Sequence, residues 1–306
     1  MQRLPPSVRI IERDWLSSNQ ILFHDDEDSA SLVDTGYVKH RAFTASLVGH
    51  LLGPRKLVRI LNTHLHSDHC GGNAELARRF PCEILVPKAT FAAADAWDEE
   101  QLTFKATGQF CDRFQPTGLL SPGQTLVLGG LPWQVHAAPG HDPDSILLFQ
   151  PDEGILISAD ALWQDGFGVI FPEISGASGF DEEARILDVI ESLAPRFVIP
   201  GHGPAFADVA EALNRARRRL EWLREDPTRN ARYALKVMVK FLMLELERVP
   251  ASRVHARLDS TVVIANAASL AGMAPAEAID WAIAGLASSG QLAWSDGELV
   301  CPGAHG

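Results

Sequence analysis

Four residues able to bind a metal fall within six positions: His64, His66, Asp68 and His69, in the run Thr63-His64-Leu65-His66-Ser67-Asp68-His69. Imidazole nitrogens and carboxylate oxygens are the donors that borderline dications such as zinc accept, and iron and manganese tolerate the same set. The run follows an apolar, strand-like segment at 57–62 and precedes Gly71-Gly72, which opens a helix to 79. With an extended strand end, His64 and His66 point the same way, and Asp68 and His69 turn with the loop. A site needs more ligands from elsewhere in the chain. Three positions qualify, each in a turn after a strand: His141 in Pro139-Gly140-His141-Asp142, Asp160 closing Ile157-Ser158-Ala159-Asp160, and His202 in Pro200-Gly201-His202-Gly203. Cys70 follows His69 directly, but successive residues there point apart, so it is not counted as a ligand.

Together with the Asp34-Thr35-Gly36 corner, these motifs stand in an order that resembles the metallo-β-lactamase superfamily, whose hydrolases include glyoxalase II, lactonases and some nucleases. The resemblance covers about residues 7–205. It implies an α+β fold, a four-layer αββα sandwich with metals at one edge between the two sheets. Carried over residue by residue, it implies a dinuclear centre: His64, His66 and His141 on one ion, Asp68, His69 and His202 on the other, and Asp160 bridging. Two divalent ions, zinc by default and iron or manganese otherwise, would share a hydroxide and lower the pKa of its parent water from 15.7 towards ~7. That nucleophile attacks a carbonyl or phosphorus. Asp68 would also act catalytically, orienting the nucleophile or assisting proton transfer. Asp34 would fix the histidine loop by hydrogen bonds.

The elements that must position these residues read as alternating short strands and helices. Strands are expected at 7–11, 21–23, 31–33, 57–62, 83–86, 126–128, 133–136, 146–149, 154–158 and 197–199. Helices are expected at 41–52, over most of 91–104, and at 180–192. After Pro204 the pattern changes to long helices at 209–224 and 230–248, split by Asp226-Pro227. Helices near 261–270 and 275–288 follow, then two short β runs joined by Asp296-Gly297. Two helices followed by a hairpin suggest a winged-helix module. The expected domains are 1–205, the metallohydrolase, and 206–306, helical and winged-helix-like.

The segment 161–172 begins beside Asp160 and is rich in glycine and aromatics. Trp163, Phe167 and Phe171 are its candidates for an apolar substrate wall. Arg215, Arg217, Arg218 and Arg219 form the one basic cluster, more in keeping with a solvated helix face than with an anion site. The formal net charge is −12, and residues 1–205 hold 15 of the 27 Lys and Arg but 27 of the 39 Asp and Glu, so the whole deficit lies there. Such a surface repels polyanions and argues against general nucleic-acid binding. Four cysteines without close pairing are read as reduced thiols. No apolar leader and no run of ~18 apolar residues is present, which points to the cytoplasm and to no membrane span.

Hydrolysis of a small thioester, lactone or other ester is the expected function. Two alternatives remain: a phosphodiesterase or ribonuclease of the same superfamily, and a metal-containing signalling or ligand-binding protein with little turnover. The expected partner is a small-molecule substrate, and the C-terminal helices or an edge strand could support a homodimer.

Overall fold

The computed structural model describes residues 4–302. The first half builds a six-stranded sheet in the spatial order Val8–Ile11, Gln20–His24, Ser29–Val33, Lys56–Leu61, Glu83–Pro87 and Gly118–Leu120. The first three strands pair antiparallel and the last three continue parallel. A second sheet runs Phe197–Pro200, Ile155–Ala159, Ile146–Gln150, Leu131–Ala137 and Thr125–Leu128, with only the first pair parallel.

The central strands Gln20–His24, Ser29–Val33, Ile146–Gln150 and Ile155–Ala159 are buried on both faces and carry near-continuous apolar runs, and the two-residue strand period assigns each side chain to a layer. Ile21, Phe23, Ile155 and Ile157 point between the sheets, where Trp133 is fully buried and meets Phe23 edge-on at 5.2 Å. Leu22 and Leu156, in between, point outward under the helices. Helices Arg41–Leu52 and Asn73–Arg79 cover the first sheet through Ala45, Val48, Leu52 and Leu76. Helices Phe180–Leu193 and Val209–Glu225 cover the second through Ile186, Leu187, Leu213 and Leu220. The result is the αββα sandwich.

Helix Val209–Glu225 lies beyond residue 205 yet shares the sandwich core. A separate core forms around the long helix Thr228–Leu246, where Leu235, Met238 and Leu242 pack with Ile264, Ile279 and Ile283 from helices Val262–Leu270 and Pro275–Ser288. A small sheet of Arg248–Val249, Glu298–Val300 and Ala293–Ser295 closes it. Several contacts tie the two bodies, among them Lys39 donating to the Leu244 carbonyl at 3.0 Å and Arg257 to that of Gly108 at 3.2 Å. Tyr37 donates its hydroxyl to Glu245 at 2.8 Å and meets Phe241 edge-on at 5.0 Å. Buried Asn230 grips the loop after Asp160 by donating to the Ile170 carbonyl at 2.9 Å.

The helix expected over most of 91–104 is broken. Helix Phe91–Ala96 ends at Trp97, whose φ of 56° is left-handed, and Asp98 then accepts from the amides of Glu100 and Gln101 before a short turn at Phe104–Thr107. Asp98 offers the backbone an alternative partner, which is how short polar side chains stop helices. Strand Gly118–Leu120 lacks any local signal at three residues and is held by pairing with Glu83–Pro87. No single helix among the described residues is long and apolar enough to cross a membrane.

Candidate metal centre

All the predicted metal ligands converge at one end of the two sheets. Strand Lys56–Leu61 stops at Leu61, His64 and His66 follow in the loop, His66 in extended backbone, and Asp68 and His69 sit on the helical turn Ser67–Cys70. His141 follows strand Leu131–Ala137. Asp160 follows Ile155–Ala159, and His202 follows Phe197–Pro200.

Two groups result. His64 Nε2 lies 3.1 Å from His66 Nδ1, and His141 Nε2 lies 2.9 Å from the same atom. His202 Nε2 lies 3.0 Å from Asp68 Oδ2, and His69 Nε2 lies 3.9 Å from it. Asp160 stands between the groups, with Oδ1 3.5 Å from His69 and Oδ2 3.4 Å from His141 and 3.9 Å from His202.

The outer nitrogens show why this arrangement suits a cation. His141 Nδ1 faces the Val169 carbonyl at 2.6 Å, an acceptor, so the proton sits there and Nε2 presents a lone pair. His66 Nε2 faces Asp142 at 3.5 Å, which assigns its lone pair to Nδ1 in the same way. Lone pairs thus face one another across about 3 Å, a contact that a shared cation resolves. In the second group His69 Nδ1 donates to Asp34 Oδ2 at 2.8 Å, and its buried Nε2 is left without a hydrogen-bond partner. Asp34 also accepts from the Thr63 amide at 2.9 Å and from its hydroxyl at 2.8 Å, locking the loop that carries the histidines.

Electrostatics agrees. Burial, with the neighbouring imidazoles, pushes His66 and His141 down to about 4 and His64 well below its ordinary value, so all three stay neutral. Burial would also lower His69, but Asp160, Asp34 and Asp68 crowd it and raise it well above the usual range. Burial disfavours charge on Asp160, yet His69 and His202 hold its carboxyl well below the usual carboxylate range. The centre therefore concentrates negative charge, and no Lys or Arg lines its cavity. The donor set fits a metal site.

That cavity, of about 110 Å³, opens over the centre. Of the three predicted wall residues, two line it. Trp163 donates its indole N–H to Asp160 Oδ1 at 3.2 Å, and Phe171 meets His66 and His141 edge-on at 5.4 and 5.6 Å. Phe167 does not. It is fully buried in the core beneath, its carbonyl accepting from Arg219 at 2.8 Å. Glycines and aromatics mixed in one short segment give no periodicity from which to tell inward from outward.

Residues unmarked by the sequence complete the walls. Trp15, 55% exposed, stacks on His202 at 5.4 Å with rings 7° apart. Tyr233, Val237, Met238 and Phe241 come from the long C-terminal helix. Cys70 points away from the centre, its sulfur 3.8 Å from that of Cys111.

A two-sheet sandwich with His and Asp donors gathered at one end defines a metallohydrolase-type architecture. The family model for the metallo-beta-lactamase superfamily matches residues 13–202, and the chain belongs to that superfamily. Hydroxyacylglutathione hydrolase of Idiomarina loihiensis is 31% identical over 149 residues, covering 48% of this chain and 47% of that protein. The chain thus spans about half the length of that relative. A metallo-beta-lactamase family protein from Thermus thermophilus superposes over 98% of this chain and 100% of its own, with a TM-score of 0.58 at 18% identity, so the likeness of fold extends through the helical C-terminal region. A third structure, in a di-iron-bound form, is 24% identical, with a TM-score of 0.53 over 68% of this chain and 96% of its own.

Proposed function

We infer that the protein is a dinuclear metal-dependent hydrolase acting on a small thioester or related ester. The observation that carries this reading is the meeting of imidazole lone pairs and carboxylates, without a balancing Lys or Arg, on the floor of a cavity with apolar walls. His64, His66 and His141 would hold one ion, and Asp68, His69 and His202 the other, with Asp160 shared. Zinc suits the donor set, and the relative crystallised in a di-iron-bound form supports iron as the alternative. When bound, the ions supply an acidified water as nucleophile and positive charge for the carbonyl oxygen.

The chain's own residues do the rest. Asp160 is oriented by the Trp163 indole. Asp68 turns Oδ2 toward His202 and His69 among the donors, which leaves its second oxygen to take a proton from the attacking water and return it to the leaving sulfur or oxygen. Phe171, Val237 and Phe241 exclude bulk water from the carbonyl and strengthen every charge interaction beneath. The relatives named for hydroxyacylglutathione hydrolysis support thioesters ahead of other esters.

A panel of acyl thioesters, lactones and bis-p-nitrophenyl phosphate tests the reading. Thioester turnover is expected to be the fastest, to vanish on chelation and to return with zinc. Turnover of the phosphodiester alone would contradict it.

A further inference from the structure

Two more cavities continue from the metal centre along one face of the helix Thr228–Leu246. Tyr233, Val237 and Phe241 border both the metal-site cavity and a second one of about 370 Å³. Tyr233 and Lys236 border both the second and a third of about 440 Å³. The second has apolar walls from Leu244 and Leu286, with Lys236 and Lys240 among its lining.

The third differs in kind. Arg219, Arg229, Arg232 and Lys236 line it against a single carboxylate, Asp226. That carboxylate is already engaged, accepting from the Thr228 amide and hydroxyl at 3.0 and 2.7 Å. The cations alternate with rings: Arg229 lies 4.7 Å from the Trp222 centroid, Arg219 4.5 Å from that of Tyr233, and Lys236 5.1 Å from that of Trp281. Arg229 pairs with Glu225 at 3.0 Å and with Asp226 at 3.7 Å, whereas Arg232 and Lys236 have no ion-pair partner among the described residues. The neighbouring arginines behave otherwise. Arg215, Arg217 and Arg218 are spent on Asp165, Asp188, Glu191 and Glu211. In a chain whose overall charge is −12, four cations gathered with two indoles form a local exception.

Guanidinium and ammonium groups beside aromatic faces suit a ligand that is at once polyanionic and flat, a purine nucleotide phosphate. From Arg229 to Phe241 the helix rises about 18 Å. A ligand seated on the cations must therefore carry its reacting carbonyl on a long arm to reach the metals. We propose that the substrate is an acyl thioester of coenzyme A, its nucleotide held between Trp222 and Trp281 on Arg229, Arg232 and Lys236, and its pantetheine arm running through the second cavity. This rests on the thioesterase reading above. Water adds across the C–S bond, and a carboxylate and the carrier's free thiol leave. A glutathione thioester has no ring to stack and a shorter arm.

The test begins with binding, which needs no turnover. Tryptophan fluorescence of the full chain is titrated with coenzyme A and with adenosine 3′,5′-bisphosphate. Saturable quenching is expected from both, weakening with salt, and about tenfold weaker in Arg232→Glu. Arg218→Glu makes the same charge change outside the groove and should keep the wild-type affinity. Kinetics follow with one acyl group on coenzyme A, pantetheine and glutathione. Coenzyme A should lead pantetheine by about tenfold or more in kcat/KM, a ratio that collapses in Arg232→Glu. Absence of quenching, or equal kcat/KM on coenzyme A and pantetheine, overturns the proposal, as does preference for glutathione, and in the latter two the thioesterase reading stands. Saturable binding without hydrolysis of any thioester supports the groove and sinks that reading instead.

Discussion

Replacing Asp160 by alanine is expected to lower kcat/KM for the preferred thioester on the order of 10³-fold, about 4 kcal/mol of transition-state stabilisation. No other carboxylate among the described residues touches both halves of the centre in this way: its oxygens reach His69 and His202 of one group and His141 of the other. Without it His69 loses the carboxylate that does most to raise its pKa, and the centre carries less negative charge. The variant should fold, because the neighbouring strand Ile155–Ala159 is held by its pairing on both sides and by Ile155 and Ile157 in the inter-sheet core. An unchanged melting temperature with lost turnover is the expected pair of readings. Turnover within about tenfold of wild type would remove Asp160 from the centre.

The second large effect comes from a residue with no chemistry of its own. A Cβ at Gly201 would stand 2.1 Å from Asp160 Oδ1, 3.0 Å from His69 Cε1 and 3.1 Å from the Ala159 carbonyl carbon. Gly201 cannot retreat easily, since its carbonyl accepts from the Asn19 amide and its own amide donates to the Ala159 carbonyl, both at 2.7 Å. Nor can Ala159, already at a left-handed φ of 47°. The softest element is the Asp160 side chain, so Gly201→Ala should act as an indirect displacement of that carboxylate. A fall in kcat/KM of about 10²-fold is expected, as an ångström-scale misplacement costs at an active centre. Weaker metal retention should accompany it, read by competition with a chelator. A Gly201→Ala enzyme of normal activity would show that the strand end is more yielding than its hydrogen bonds indicate.

What the sequence made legible was the part fixed by chemistry at short range. His64, His66, Asp68 and His69 announce themselves because few other purposes put four such donors in six positions, and His141, Asp160 and His202 because each closes a strand in a turn. Asp34 has the supporting place that the resemblance implies, holding Thr63 and His69. The walls were harder. Trp15 and Phe241 are far apart in the chain and meet only through the packing of the C-terminal helix on the sandwich, so no local pattern marks them. Phe167 and Phe171 are four residues apart with the same character, yet one is core and the other faces the metals. The arginines divide similarly: Arg218 pairs outward with Glu211, whereas Arg219, its neighbour, turns inward over Phe167 and Tyr233. Helical phase decides this, and a run of basic residues hides the phase.

The metal content of the purified protein tests the central claim most directly. After reconstitution with zinc and desalting, elemental analysis should give two ions per chain, with thioester turnover rising in proportion to occupancy. Full turnover at well below one ion per chain, or turnover that survives complete metal removal, would contradict the account.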